Sequence, residues 1–115
     1  MTAGKGDVAK LKVTPIIKGT GPEVTPGMQL AVNYVGVTYK DGKEFDSSWK
    51  GGQPAQFQIG VGGLIKGWDE GLIGVPVGSR VQLDIPADKA YGEKTTGGQP
   101  PGDLRFVVDI LQAQG

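Results

Sequence analysis

The sequence predicts an α+β domain in which an antiparallel sheet of about five strands folds its apolar face over one short helix. Two observations carry this: three segments alternate apolar and polar residues with period two, and a single stretch shows helical spacing. A third agrees with them. The 21 glycines and 8 prolines punctuate apolar segments instead of forming a tract, which reads as many turns between short strands.

The 115 residues suit one domain, enough to bury a core without staples. Residues 1–7 are expected to be a flexible N-terminal segment and 8–115 the domain itself. Leu11 to Ile17 is a first, short strand candidate. From Met28, Leu30, Val32 and Tyr34 face one way while Gln29 and Asn33 face the other. Asp41-Gly42, between Lys40 and Lys43, is a hairpin-type turn signal. Gln56 to Ile59 is a second short candidate. In LIKGWDEGLIG, Ile65, Trp68 and Leu72 share one face of a helix, placing Trp68 at the sheet–helix interface. Gly67 and Gly71 each weaken that helix by up to about 1 kcal/mol relative to alanine, so packing must hold it. Val81, Leu83 and Ile85 alternate with Arg80, Gln82 and Asp84. Leu104, Phe106, Val108 and Ile110 alternate with Arg105, Val107 and Asp109. No internal repeat is present.

Composition prunes the chemistry. There is no cysteine, hence no disulfide and no thiolate metal site, and the redox compartment stays open. There is no histidine, which removes the Ser-His-Asp and Cys-His arrangements and the commonest metal ligand. Twelve basic and twelve acidic residues cancel without a basic block, so the footprint of a nucleic-acid binder is missing. No apolar run reaches the length of a membrane span. MTAGKGDVAKLKV lacks the apolar core of a signal peptide. A cytoplasmic location is the default expectation, with an exported or envelope-anchored form only if a leader has been removed. No cofactor or metal is implied.

Read on their own, the chemical candidates have plain alternatives. Trp68, Tyr34, Phe45 and Phe106 read as core aromatics. Asp46, followed by Ser47-Ser48, reads as a turn or helix-cap residue. Tyr91 before Gly92 reads as a strand end, and Asp69-Glu70 as solvated charges on a short helix. Gly62-Gly63 lacks the spacing of a phosphate-binding loop.

Taken together, VNYVG, DGKEFDSS, LIKGWDEGL, VGSRVQLDIPADKAYG and PPGDLRFVVDILQ occur in an order and spacing that closely resemble the FKBP-type peptidyl-prolyl cis/trans isomerases, from about Ile16 to Leu111. Each fragment alone is weak evidence; five in register are specific. The resemblance implies a twisted antiparallel sheet wrapped around one short helix, and an apolar pocket. Trp68 matches its floor, Tyr34, Phe45 and Phe106 its aromatic walls. Leu64, Ile65 and Phe57 match its substrate-binding rim. Tyr91 matches a tyrosine whose hydroxyl reaches a ligand carbonyl, and Asp46 an aspartate of the same cavity. The Ile65 N–H matches a ligand-binding donor. The implied activity is acceleration of rotation about X–Pro bonds in unfolded or flexible polypeptides, by a monomer that assists folding and is inhibited by FK506/rapamycin-type macrolides. The alternative is a non-catalytic binding or chaperone module of the same fold.

Three departures bear on that expectation. Ala55 stands where many eukaryotic members carry a pocket phenylalanine and bacterial members often share the alanine. Gly51 stands where a basic residue frequently pairs with the pocket aspartate. The loop EKTTGGQPPGD, residues 93–103, lacks the aliphatic residues and histidine that often overhang the pocket.

Overall fold

A computed structural model describes residues 10–92, apart from the Lys50 side chain, and 100–114. The expected flexible segment 1–7, and residues 93–99 of the pocket loop, lie outside the described residues. Six strands form one antiparallel sheet: β1 (Lys12–Ile17), β2 (Gln29–Thr38), β3 (Glu44–Ser47), β4 (Ala55–Gln58), β5 (Arg80–Ile85) and β6 (Leu104–Gln114). Their order is β1-β5-β6-β2-β3, and β4 pairs with β2 beyond β3. One helix, α1 (Lys66–Gly71), and two 3-10 turns (Ser48–Gly51 and Ala87–Lys89) complete the elements of the described residues.

The count exceeds the expected five by β3. That strand holds only four residues and alternates poorly, but it borrows its order from β2, where Val35 faces Ser47 and Gly36 faces Asp46. The Asp41-Gly42 turn makes this hairpin: Thr38 N–H donates to the Lys43 carbonyl, and Gly42, at φ 69°, donates back to Thr38. Further along, Gln29 to Val32 pairs with β4. Thus β3 and β4 occupy successive parts of one β2 edge, interrupted by residues 48–54.

The period-two segments behave as their pattern predicts. Leu30, Val32, Val81, Leu83, Ile85, Leu104, Phe106, Val108 and Ile110 are all buried in one core, with Trp68 and Leu72 of the helix region facing them. On the opposite face, β5 and β6 carry ion pairs between residues directly across from each other. Arg80 pairs with Asp109 and Arg105 with Asp84, each at 2.6 Å. Asp84 is buried despite its place on the polar face. A buried carboxylate persists only when paired, and the Arg105 guanidinium supplies the partner.

The helix glycines have a packing reason that outweighs their propensity. A Cβ on Gly67 would stand 2.6 Å from the Ile85 side chain, and one on Gly71 would stand 3.1 Å from Leu83. The bare backbone lets α1 lie directly on β5, which lifts Trp68 to the height where the strands' aromatics reach it.

Candidate functional site

At one end of α1 the core opens into a cavity of about 470 Å³. All nine side chains singled out from the sequence line it, together with Gly63, Lys66, Asp88 and Ala90. Ala55 and Gly51 do not line it. Ala55 is half-buried against the core, and Gly51 has open space around its Cα.

Trp68 is the floor. Three rings meet it edge to face: Tyr34 at 5.2 Å between centroids, Phe57 at 5.3 Å and Phe106 at 5.4 Å. Phe45 closes the next wall by meeting Phe106 at 5.5 Å and 89°. Edge-to-face pairs contribute about 0.5–1.5 kcal/mol each beyond burial and fix ring orientation. The cage is therefore rigid as well as apolar. The Trp68 indole N–H is buried and has no hydrogen-bond partner among the described residues. Leaving such a donor dry costs roughly 1–3 kcal/mol, a burden that an ordinary core aromatic such as phenylalanine would avoid.

Polar groups enter from one side. The Tyr34 hydroxyl donates to Asp46 Oδ2 at 2.6 Å, and the Ser47 N–H donates to Asp46 Oδ1 at 2.8 Å. Asp46 is thus held by a phenol and a backbone amide in place of the basic partner that Gly51 cannot supply. Burial pushes the Tyr34 phenol far above its ordinary value, and its hydrogen bond to Asp46 adds to the shift. Burial likewise raises Tyr91, with the Asp46 charge adding to it. Both tyrosines therefore keep their protons well past neutrality and stand as donors. At the opposite rim, the Ile65 N–H precedes α1 and donates to no acceptor among the described residues.

Four residues that position this site escaped the sequence reading. Ser48, buried beside β2, accepts from the Tyr34 N–H at 2.8 Å and donates to Asn33 Oδ1 at 3.1 Å, clamping the end of β3 to the strand that carries Tyr34. Ser47 is the true cap here, accepting from the Trp49 N–H, while Asp46 lies in the strand and faces the cavity. Asp69 is no free surface charge. Its two oxygens accept from Gly60 and Gly62 N–H at 2.8 and 3.1 Å, which folds the loop that delivers Leu64 and Ile65 to the rim. Gly36 matters by its missing side chain: a Cβ there would stand 2.7 Å from Phe106 and 2.8 Å from Phe45. A glycine inside an otherwise regular strand was the available signal, since it marks a close approach. Nothing local could have revealed Ser48 or Asp69, whose partners lie in other loops.

Tyr91 ends no strand. It follows the 3-10 turn Ala87–Lys89 and is held by short-range bonds, with Ala90 and Gly92 N–H both donating to the Ala87 carbonyl. The loop beyond it is closed at its stem by Gly102 N–H on the Gly92 carbonyl and by Ala87 N–H on the Asp103 carboxylate.

Comparison with known proteins agrees with this geometry. Residues 21–111 match the family described as FKBP-type peptidyl-prolyl cis-trans isomerase. A protein of Streptomyces anulatus named FK506-binding protein is 46% identical over 106 residues, covering 90% of this chain and 86% of that one. Peptidyl-prolyl cis-trans isomerase FPR2 of Saccharomyces cerevisiae is 42% identical over 91 residues, covering 77% and 67%. Among solved structures, AtFKBP13 superposes with a TM-score of 0.79 at 36% identity, covering 90% of this chain and 93% of that one. FkpA from Escherichia coli gives 0.81 at 36% identity, covering 90% and 48%.

Proposed function

The chain belongs to the FKBP-type peptidyl-prolyl cis-trans isomerase family, and from that membership we propose that its aromatic cavity is where X–Pro bonds are turned. The observation that carries this assignment is the cage around Trp68. It is an apolar, orientationally fixed floor, open to solvent on one side and carrying no nucleophile.

The reaction asks for nothing more. Rotating a peptide bond meets a barrier of about 18–20 kcal/mol, while the two X–Pro isomers differ by only about 0.5–1 kcal/mol. No covalent bond changes and no proton has to move. The planar amide is dipolar through resonance, and the twisted transition state has lost that resonance. A water-poor cavity solvates the planar form poorly, which narrows the gap to the twisted one. Proline packs on Trp68, the Tyr91 hydroxyl and the Ile65 N–H hold carbonyls on either side, and the held ends convert random torsion into rotation about one bond. Asp46 is not a general base. Bound to the Tyr34 hydroxyl, it keeps that ring edge-on to Trp68 and sets a negative charge against the rotating carbonyl carbon. The rim of Leu64, Ile65 and Phe57 favours an apolar residue before proline. Macrolides of the FK506 and rapamycin type bind the same cavity as competitive inhibitors.

Exchange NMR on a Leu-Pro peptide with catalytic amounts of protein tests the reading. Faster exchange that a macrolide abolishes supports it. Binding of the peptide without acceleration would make the cavity a docking site for proline segments instead.

A further inference from the structure

Most charges around the cavity are committed inside the fold. Asp46 holds Tyr34, Asp69 holds the 60–62 loop, and Glu70 pairs with Lys89. Lys66 and Asp88 are different. Both line the cavity and both are exposed, yet neither side chain makes an ion pair or hydrogen bond with another described residue. Lys66 is the first residue of α1, directly after the unpaired Ile65 N–H. Asp88 lies in the 3-10 turn that leads to Tyr91. One cation and one anion without partners thus stand at the mouth of a largely aromatic site, next to two of the groups that hold substrate carbonyls.

A polypeptide with its proline over Trp68 must leave the cavity in both directions. At about 3.3–3.6 Å per extended residue, side chains one or two positions from proline cross the rim where these charges stand. Resting on the isomerase reading, we propose that Lys66 and Asp88 set the charge preference of the pocket. An apolar–proline pair flanked by one acidic and one basic side chain is turned over fastest in the order that brings the acid to Lys66 and the base to Asp88. The two charges share a rim without pairing with each other, so a substrate supplies the partner that the fold withholds. Contacts of this exposed kind are worth about two- to fivefold in kcat/KM and fade as salt is raised.

Three peptides test it by exchange NMR: Ala-Glu-Leu-Pro-Lys-Ala, Ala-Lys-Leu-Pro-Glu-Ala and the neutral Ala-Gln-Leu-Pro-Gln-Ala. At low salt, one charged order is expected to exceed both the neutral peptide and the opposite order by about two- to fivefold. In the double variant Lys66→Glu/Asp88→Lys the ranking of the two orders inverts, and in 1 M salt it collapses. Both substitutions are at exposed positions, and circular dichroism checks that the variant is folded. Equal rates for all three peptides, or an unchanged ranking in the folded double variant, would overturn the proposal while leaving the isomerase reading intact. Turnover of none of them would sink both.

Discussion

Alanine at Gly36 adds one methyl group where two pocket walls already meet. The new Cβ would lie 2.7 Å from Phe106 Cε1 and 2.8 Å from Phe45 Cζ, against a comfortable carbon–carbon contact of about 3.5–4.0 Å. Each ring must retreat by roughly 1 Å, and Phe106 can do so only by disturbing its contacts with Trp68 and Tyr34. Overpacking of this kind costs about 1–3 kcal/mol. With a urea m-value of about 1–3 kcal/mol/M, the unfolding midpoint should fall by roughly 1 M. Catalysis should suffer more than stability does, since a 1 Å misplacement of a binding surface can cost about a hundredfold. We therefore expect kcat/KM per folded molecule to drop at least about tenfold, with weaker macrolide binding. Gly51→Ala is the control: nothing lies within 4 Å of its Cβ position, and midpoint and rate should hold or improve slightly. A Gly36→Ala protein with an unshifted midpoint and full turnover would refute the claim that Phe45 and Phe106 are held in contact across this glycine.

Removing the wall and removing the hydroxyl should separate. Phe106→Ala should cost about 3–5 kcal/mol of stability and most of the activity per folded molecule. Tyr91→Phe, losing a hydrogen bond worth about 0.5–1.5 kcal/mol, should remain folded with activity reduced about tenfold; a folded, fully active Phe106→Ala protein would displace the pocket. The isomerase rate should be flat from pH 6 to 8, since the chain has no histidine and the two cavity tyrosines are shifted upward; a bell-shaped profile there would demand an acid–base pair. Stability should fall in alkali. Above the unfolded phenol value near 10, the unfolded chain releases protons that folded Tyr34 and Tyr91 retain, so stability falls as pH rises. The fall should be shallower in Tyr34→Phe when urea midpoints at pH 8 and 10.5 are compared. Tryptophan fluorescence should change on rapamycin binding and survive Trp49→Phe, because Trp49 is 59% exposed and outside the cavity while Trp68 is 4% exposed at its floor; a response lost with Trp49 would misplace the floor.

What could be read beforehand follows from how each element earns its order. β5 and β6 each have strands on both sides and one buried face, so their alternation is strict and was visible. β3 takes its order from the edge of β2, and four residues with mixed burial carry no periodic signal. The helix is legible from Ile65, Trp68 and Leu72, and so is its dependence on packing, but not the contacts that require its glycines. Propensity describes an isolated helix, whereas Gly67 serves contact with Ile85. Asp69 reads as solvated in the sequence for the same reason: its partners, Gly60 and Gly62, approach only after the loop folds back. The site residues lie on separate strands, turns and the helix, and nothing in local pattern distinguishes a cavity aromatic from a core one. Only the family resemblance grouped them.

The sheet register explains why that grouping is so compact. In β2, Gly36 stands opposite Phe106 of β6 on one side and Asp46 of β3 on the other. Residues directly across from one another project to the same face, so one row of the sheet delivers a wall and a carboxylate to the cavity with a glycine between them. Two residues along the same strand, Tyr34 reaches back to Asp46 through its hydroxyl and forward to Trp68 through its ring edge. The β2–β3 register shifts immediately beyond, between Gly36 and Val37. A bulge placed one residue earlier would turn Asp46 away from Tyr34 and leave the hydroxyl without its acceptor. The short strand that sequence periodicity could not detect is therefore the element whose register the polar side of the pocket depends on most.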